Sequence, residues 1–309
     1  MTIFFWIIIF VVSLTALLKS SDLLIDSSEK IGLRIGLSPF IIGVTIVAFG
    51  TSLPELVASF VAVSQGVTDV VTGNAIGSNI ANILLVVGVA AIVGKNLRVT
   101  KNLIDLDLPL LAISTGIFFM TAADGKITLI ESVVLLSTYV VYLFYTLKYN
   151  EDEESKEEKP VITTMDIIKL FIGIAGLSLG AKFLIDSIVN ISDVFNIATG
   201  VIAVTAVAIG TSLPELIVSV KAVLKGKAEV ALGNVFGSNI FNILVVIGLP
   251  GIFSVLVIDP MTFSIGIPVL IMSTVLFVIS GISKRIHAQE GWLYIILYIV
   301  FISKLFELF

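Results

Sequence analysis

The chain has 309 residues, of which 57% are hydrophobic and only 13% charged, with a mean hydropathy of +1.14. Soluble domains carry about 25% charged residues, so a water-soluble enzyme is excluded, as are disordered and collagen-like chains. The absence of cysteine rules out disulfides and zinc–thiolate centres, and a net charge of -5 offers no basic surface for nucleic acid.

What remains is an all-α polytopic membrane protein, and at about 20 residues per span the length holds roughly ten helices. In chain order, apolar runs divided by glycine, proline or charge predict helices over 2–27, 39–64, 70–94, 103–123, 127–147, 164–190, 197–224, 229–256, 261–282 and 290–308. The first run lacks a basic leader and is long for a signal peptide, so it reads as a retained span. Residues 148–163 hold the one strongly polar stretch, rich in glutamate, which reads as a solvated linker. The chain thus divides into 1–147, the linker 148–163, and 164–309. Lys and Arg gather in the connections after odd-numbered helices, among them Lys30, Arg34, Lys95, Lys148, Lys221 and Lys225. That bias predicts an integral plasma-membrane protein with both termini outside and a cytoplasmic linker.

The strongest signal is internal. Residues 50–59 read GTSLPELVAS and 210–219 read GTSLPELIVS; residues 73–84 read GNAIGSNIANIL and 233–244 read GNVFGSNIFNIL. The offset is 160 throughout, and about 28 of the 47 positions from 42 to 88 match their counterparts. It spans five predicted helices. Because five is odd, the second copy crosses the membrane in the opposite sense, which predicts two inverted-topology five-helix repeats of the kind secondary transporters share. Equivalent residues then converge on one site near the midplane.

Glu55 and Glu215 are lone charges near the middles of their helices. A carboxylate at that depth is costly unless paired, protonated or coordinated, and no basic residue lies at matching depth in the neighbouring helices. Thr51 and Ser52 share a helix face with Glu55, as Thr211 and Ser212 do with Glu215. Ser78 with Asn82, and Ser238 with Asn242, are likewise four apart. Two carboxylates, two amides and six hydroxyls form a hard-oxygen donor set suited to Na+ and Ca2+. Pro54 and Pro214 break helical hydrogen bonding just after Gly50 and Gly210, which frees upstream carbonyls, including those of Ala48 and Ala208, to meet a cation. Gly73 with Gly77, and Gly233 with Gly237, permit close helix packing.

At these blocks the chain resembles the cation/calcium exchanger superfamily, and within it the sodium/calcium exchangers. Its paired G-T-S-L-P-E and G-S-N-x-x-N blocks are similar to that family's two alpha-repeats. The resemblance implies an antiporter, not an enzyme, whose Ca2+ ligands are Glu55, Glu215, Thr51 and Thr211. It implies flanking Na+ sites built from Ser52, Ser78, Ser212 and Ser238 with the carbonyls of Ala48 and Ala208, and a central site lined by Asn82 and Asn242. It further implies that three Na+ exchange for one Ca2+ by alternating access, with the first and sixth helices sliding past the rest. Some members of that family, including potassium-dependent ones, carry aspartate where Asn242 stands; with asparagine at both 82 and 242 the site holds two acidic groups, not three, which favours a potassium-independent exchanger. Na+ and Ca2+ are substrates; no cofactor and no obligate protein partner beyond the bilayer is implied. Two ionised glutamates neutralise one Ca2+, whereas three Na+ leave the site at +1, so exchange is expected to be electrogenic.

A proton-coupled Ca2+ antiporter is the alternative, since buried carboxylates also carry protons; a channel and a membrane enzyme fit less well. Gly176-Leu-Ser178-Leu-Gly180 matches a hydrolase pattern but lies inside an apolar helix. His287, beside Lys284 and Arg285, reads as solvated. Asp26 and Asp186, which match through the repeat, read as ion-paired or interfacial.

Overall fold

In a computed structural model of the chain, residues 3–98, 108–149, 160–194, 212–283 and 285–305 are described. They form helices α1 (Ile3–Arg34), α2 (Pro39–Ser64), α3 (Asp69–Gly94), α4 (Leu108–Thr121), α5 (Leu129–Tyr149), α6 (Thr164–Val194), α7 (Leu213–Leu224), α8 (Ala228–Gly251), α9 (Thr262–Ile282) and α10 (Ala288–Leu305). Eight of these are long and apolar enough to cross a membrane; α4 is a shorter apolar helix. The helix predicted over 197–224 is described only from Leu213 onward.

Burial follows from what each helix faces. The apolar window of α8 is buried along its whole length, and those of α2 and α3 over most of theirs. Around them, α1, α5, α6 and α10 turn Val12, Phe144, Phe171 and Ile299 outward. In hydrocarbon such exposure carries no cost, and it marks the lipid face. α1 packs along α6 at close range because Gly173 and Gly176 stand where side chains would meet the α1 backbone at Ser20 and Leu24 and the Ser20 hydroxyl.

The first helix runs seven residues past its predicted end, through polar sequence. Its acidic residues there have partners: Asp22 pairs with Lys221 (2.6 Å) and Lys225 (3.1 Å), Asp26 with Lys225 (2.8 Å), and Glu29 with Lys227. Lys30 pairs with Asp166 at the start of α6, 2.7 Å away. Asp186, the repeat mate of Asp26, joins no ion pair among the described residues.

Two short antiparallel ladders were not visible in the hydropathy pattern. β1 (Asn96–Arg98) pairs with β4 (Arg285–His287), and β2 (Lys126–Ile127) pairs with β3 (Leu256–Val257). They end α8 at Gly251, ahead of its predicted end, because the chain turns there into β3. Their registers correspond under the 160-residue offset: Leu97↔Ile286 maps onto Val257↔Lys126. Each ladder clips a connection of the first half to one of the second, with Leu97, Ile286, Ile127 and Leu256 buried beneath. His287 is exposed, and its backbone N–H donates to Glu290 Oε2 at 2.7 Å.

Candidate functional site

Two glutamates are buried in the interior of the helical bundle. Glu55 in α2 and Glu215 in the first turn of α7 are both fully buried. Ser52 of α2 donates to Glu215 Oε1 at 3.0 Å, which joins the two halves directly. Both oxygens of Glu55, and Oε2 of Glu215, have no hydrogen-bond partner. None of the described ion pairs involves either glutamate. Two uncompensated carboxylates in a dry interior are strongly unfavourable. A cation between them resolves that cost, and so does protonation.

The backbone irregularity of α2 is not where Pro54 suggested. The helix is continuous through Pro54, and its disturbance is a π-helical turn at Gly43–Val47, just upstream. Losing one amide N–H at Pro54 is absorbed within the helix. The Ala48 carbonyl instead accepts from Thr51 Oγ1 at 3.2 Å. Pro214 sits in the first turn of α7, directly after Ser212 at its N-cap. Extra-residue turns of this type gather at functional sites because they re-aim side chains. α3 and α8 each contain one, over Asn82–Val87 and Asn242–Val246. Both begin at the repeated asparagine. The amide N and O atoms of Asn82 and Asn242 are buried and have no hydrogen-bond partner.

Of the residues singled out by sequence, Glu55, Glu215, Thr51, Ser52, Ser78, Ser212, Ser238, Asn82, Asn242 and Ala48 are all buried, and hydrogen-bonding contacts join Ser52 to Glu215 and Thr51 to Ser238. Thr51 Oγ1 is 3.4 Å from Ser238 Oγ, and Ser212 Oγ is buried without a hydrogen-bond partner. Thr211 and Ala208 lie outside the described residues. Sequence reasoning passed over Asn234, Ser219, Asn79 and Asn239, all buried, of which Asn234 accepts from Thr51. Each also matches through the 160-residue offset, so polar identity across the repeat was the signal that would have found them. Among the described residues no group of three or more His, Asp or Glu is placed to hold a metal ion. A divalent ion here would draw on hydroxyl, amide and carbonyl oxygens as well as the two carboxylates.

A cavity of about 380 Å3 extends to Ser78 and is lined also by Asp69, Asn74, Asp259 and Tyr298. Asp259 accepts from the backbone N–H groups of Met261 and Thr262, each at 3.0 Å. Burial pushes its carboxyl up, but hydrogen bonds from Thr262 and Met261 outweigh this and hold it below its ordinary value.

A helical bundle with lipid-facing flanks and a buried hard-oxygen centre supplied by two matching halves is built as an ion-carrying membrane protein. The family model described as sodium/calcium exchanger protein matches residues 5–148 and 166–306, and the chain belongs to that family. It is 32% identical to the sodium/calcium exchanger MaX1 of Methanosarcina acetivorans, covering 97% of this chain and 98% of that one. It is 34% identical to the putative antiporter CaxA of Alkalimonas amylolytica, over 96% of this chain and 97% of that one. Among solved structures, the sodium-calcium exchanger NCX_Mj soaked with 10 mM Na+ and 10 mM Sr2+ superimposes with a TM-score of 0.86 at 32% identity. That match covers 98% of this chain and 99% of the other.

Proposed function

We propose that the chain is a secondary antiporter exchanging three Na+ for one Ca2+ by alternating access, electrogenically and without potassium. The observation that carries this reading is the pair Glu55 and Glu215, both fully buried and without a basic partner among the described residues, with Ser52 of the Glu55 helix donating to Glu215. Two carboxylates match the charge of one Ca2+, and the surrounding hydroxyls and amides are what Na+ and Ca2+ prefer and what a proton does not require. In this reading Glu55 and Glu215 with Thr51 and Thr211 take Ca2+. Ser52, Ser78, Ser212 and Ser238, with the Ala48 and Ala208 carbonyls, take Na+. Asn82 and Asn242 line the centre as neutral groups, so the site never holds a third negative charge and needs no K+ to balance one.

The architecture in this reading is ten spans in two inverted repeats, 1–147 and 164–309, joined by the acidic linker, with both termini outside. The offset-related registers of the two β ladders support it, as do the π turns that open at Asn82 and Asn242. The lysines at the ends of α5 and α7 agree with a cytoplasmic linker.

Net charge movement tests the stoichiometry. Ca2+ uptake into Na+-loaded proteoliposomes moves one positive charge outward per cycle, so an inside-positive potential should accelerate it. Replacing external K+ with choline at a fixed potential should change nothing. Uptake indifferent to potential contradicts the three-to-one exchange, and a requirement for K+ contradicts the potassium-independent reading.

A further inference from the structure

The second half of the chain makes a hydrogen bond that the first half leaves unmade. Asn234 of α8 is fully buried; its Oδ1 accepts from Thr51 Oγ1 at 3.1 Å, and its Nδ2 donates to Ser219 Oγ of α7 at 3.0 Å. The 160-residue offset maps Asn234 and Ser219 onto Asn74 and Ser59. There the bond is absent. Ser59 Oγ is buried with no hydrogen-bond partner, and Asn74 of α3 stands half-buried on the wall of the cavity that leads to Ser78.

The same asymmetry recurs where the two halves cross. Asn79 Nδ2 donates across to the Asn239 carbonyl at 2.9 Å, whereas Asn239 Nδ2 turns back onto its own helix, to the Val235 carbonyl at 2.7 Å. Residues that match between the two halves thus hold identical side chains in two different hydrogen-bonded states. A buried hydroxyl left without a partner is costly, so Ser59 gains by any rearrangement that brings Asn74 to it.

We propose that the Asn–Ser bond is an alternating latch, closed in this structure between Asn234 and Ser219 and open between Asn74 and Ser59, and that the opposite access state exchanges the two. The proposal rests on the alternating-access reading above. Closing the Asn74–Ser59 bond takes the Asn74 amide off the wall of the cavity that leads to Ser78 and needs no movement of α2 or α3 as a whole. Opening the Asn234–Ser219 bond releases the amide that holds Thr51. Asn234 is therefore a positioning residue, acting on the cation site through the Thr51 hydroxyl. Because one bond of a given kind is traded for another, the two states stay close in energy, as a carrier that must populate both requires.

The test is exchange by the reconstituted full-length chain with the apparent Ca2+ affinity measured separately from each face, for Ser219→Ala, Ser59→Ala and the double variant. Ser219→Ala removes the bond of the captured state. It should weaken apparent affinity about fivefold at the face where the cavity opens, the shift expected for one buried hydrogen bond, and strengthen it at the other. Ser59→Ala should shift the ratio of the two affinities in the opposite direction. The double variant should return that ratio to near the wild-type value. Shifts in the same direction, no shift, or additive losses in the double variant would overturn the latch, because a merely structural serine has no sidedness. Should alanine at 219 reduce the folded yield, Ser219→Cys weakens the same bond in a chain with no other cysteine and carries the same prediction. Loss of Na+ dependence in the wild-type protein is a separate result. It would overturn the exchanger reading, while the sidedness of the variants would still be read with whichever cation drives uptake.

Discussion

Glu55→Gln and Glu215→Gln should each abolish Na+-driven Ca2+ uptake while leaving the protein folded. The two carboxylates are the only charges at the buried centre among the described residues, and they share the task of balancing a divalent ion. Removing one partner from a buried charge set costs about 3–5 kcal/mol, which corresponds to roughly a hundred- to several-thousand-fold weaker Ca2+ binding. The fold should tolerate the change. Glutamine keeps an oxygen to accept from Ser52, and without bound ion it relieves the burial of a charge. Thermal unfolding separates the two effects. In ion-free buffer the variants should melt at or above the wild-type temperature, but the upward shift that Ca2+ gives the wild type by binding the native state should vanish. A variant that still gains stability from Ca2+ as the wild type does would remove that glutamate from the site.

Gly237→Ala should be the most damaging small substitution in the chain. Gly237 faces the α2 backbone, where an added methyl group would land on the Val44 carbonyl oxygen and lie 2.6 Å from the Ala48 Cβ. Gly233, one turn earlier, meets the Phe40 carbonyl in the same way, and a methyl group on Gly43 would lie 2.5 Å from the Val230 carbonyl. Backbone cannot rotate aside as a side chain does, so α2 and α8 must separate. Overpacking costs about 1–3 kcal/mol and more where nothing can give, and this site belongs to the second kind. The separation also displaces Thr51 and Ser52 from Ser238 and Glu215, so protein that does fold should transport poorly. Gly116→Ala in α4 is the control. Gly116 is exposed and has no atom within 4 Å of the added methyl, so helix propensity alone should stabilise that variant slightly, by up to about 1 kcal/mol. Detergent-solubilised yield and unfolding temperature distinguish the pair. A Gly237→Ala protein as stable as Gly116→Ala would mean that the close approach of α2 and α8 is not what holds the centre together.

Much of this was legible in the sequence because lipid and polarity constrain residues in opposite ways. Apolar positions changed freely between the two copies, since one branched side chain serves as well as another against hydrocarbon. Thr51, Glu55, Ser78 and Asn82 kept their identities at 211, 215, 238 and 242, as residues with a particular polar task would. The buried glutamates, their hydroxyl neighbours and the close packing at Gly233 and Gly237 could be read from that contrast, whereas Gly73 and Gly77, expected to pack in the same way, have no such close neighbour. What stayed hidden depends on relations that hydropathy does not encode. Pro54 suggested a broken helix, but the strain is taken up earlier, in the π turn at Gly43–Val47. The β clips are two or three residues long, too short for a periodic signal. The extension of α1 to Arg34 depends on lysines almost two hundred residues away, at the end of α7 and in the turn that follows. Asn234 and Ser219 were visible as repeat matches, but only the structure distinguishes them from Asn74 and Ser59, because the same residue types adopt different pairing in the two halves.

The most direct measurement is 45Ca2+ uptake into proteoliposomes under two separate driving forces: an outward Na+ gradient at equal pH, and a pH gradient without Na+. Exchange at the two-glutamate centre predicts uptake with the Na+ gradient, none with the pH gradient alone, and loss of the Na+-driven signal in Glu55→Gln and Glu215→Gln. Uptake driven by the pH gradient alone would contradict it. The two glutamates would then be proton carriers, and the hydroxyl and amide oxygens around them would serve Ca2+ alone.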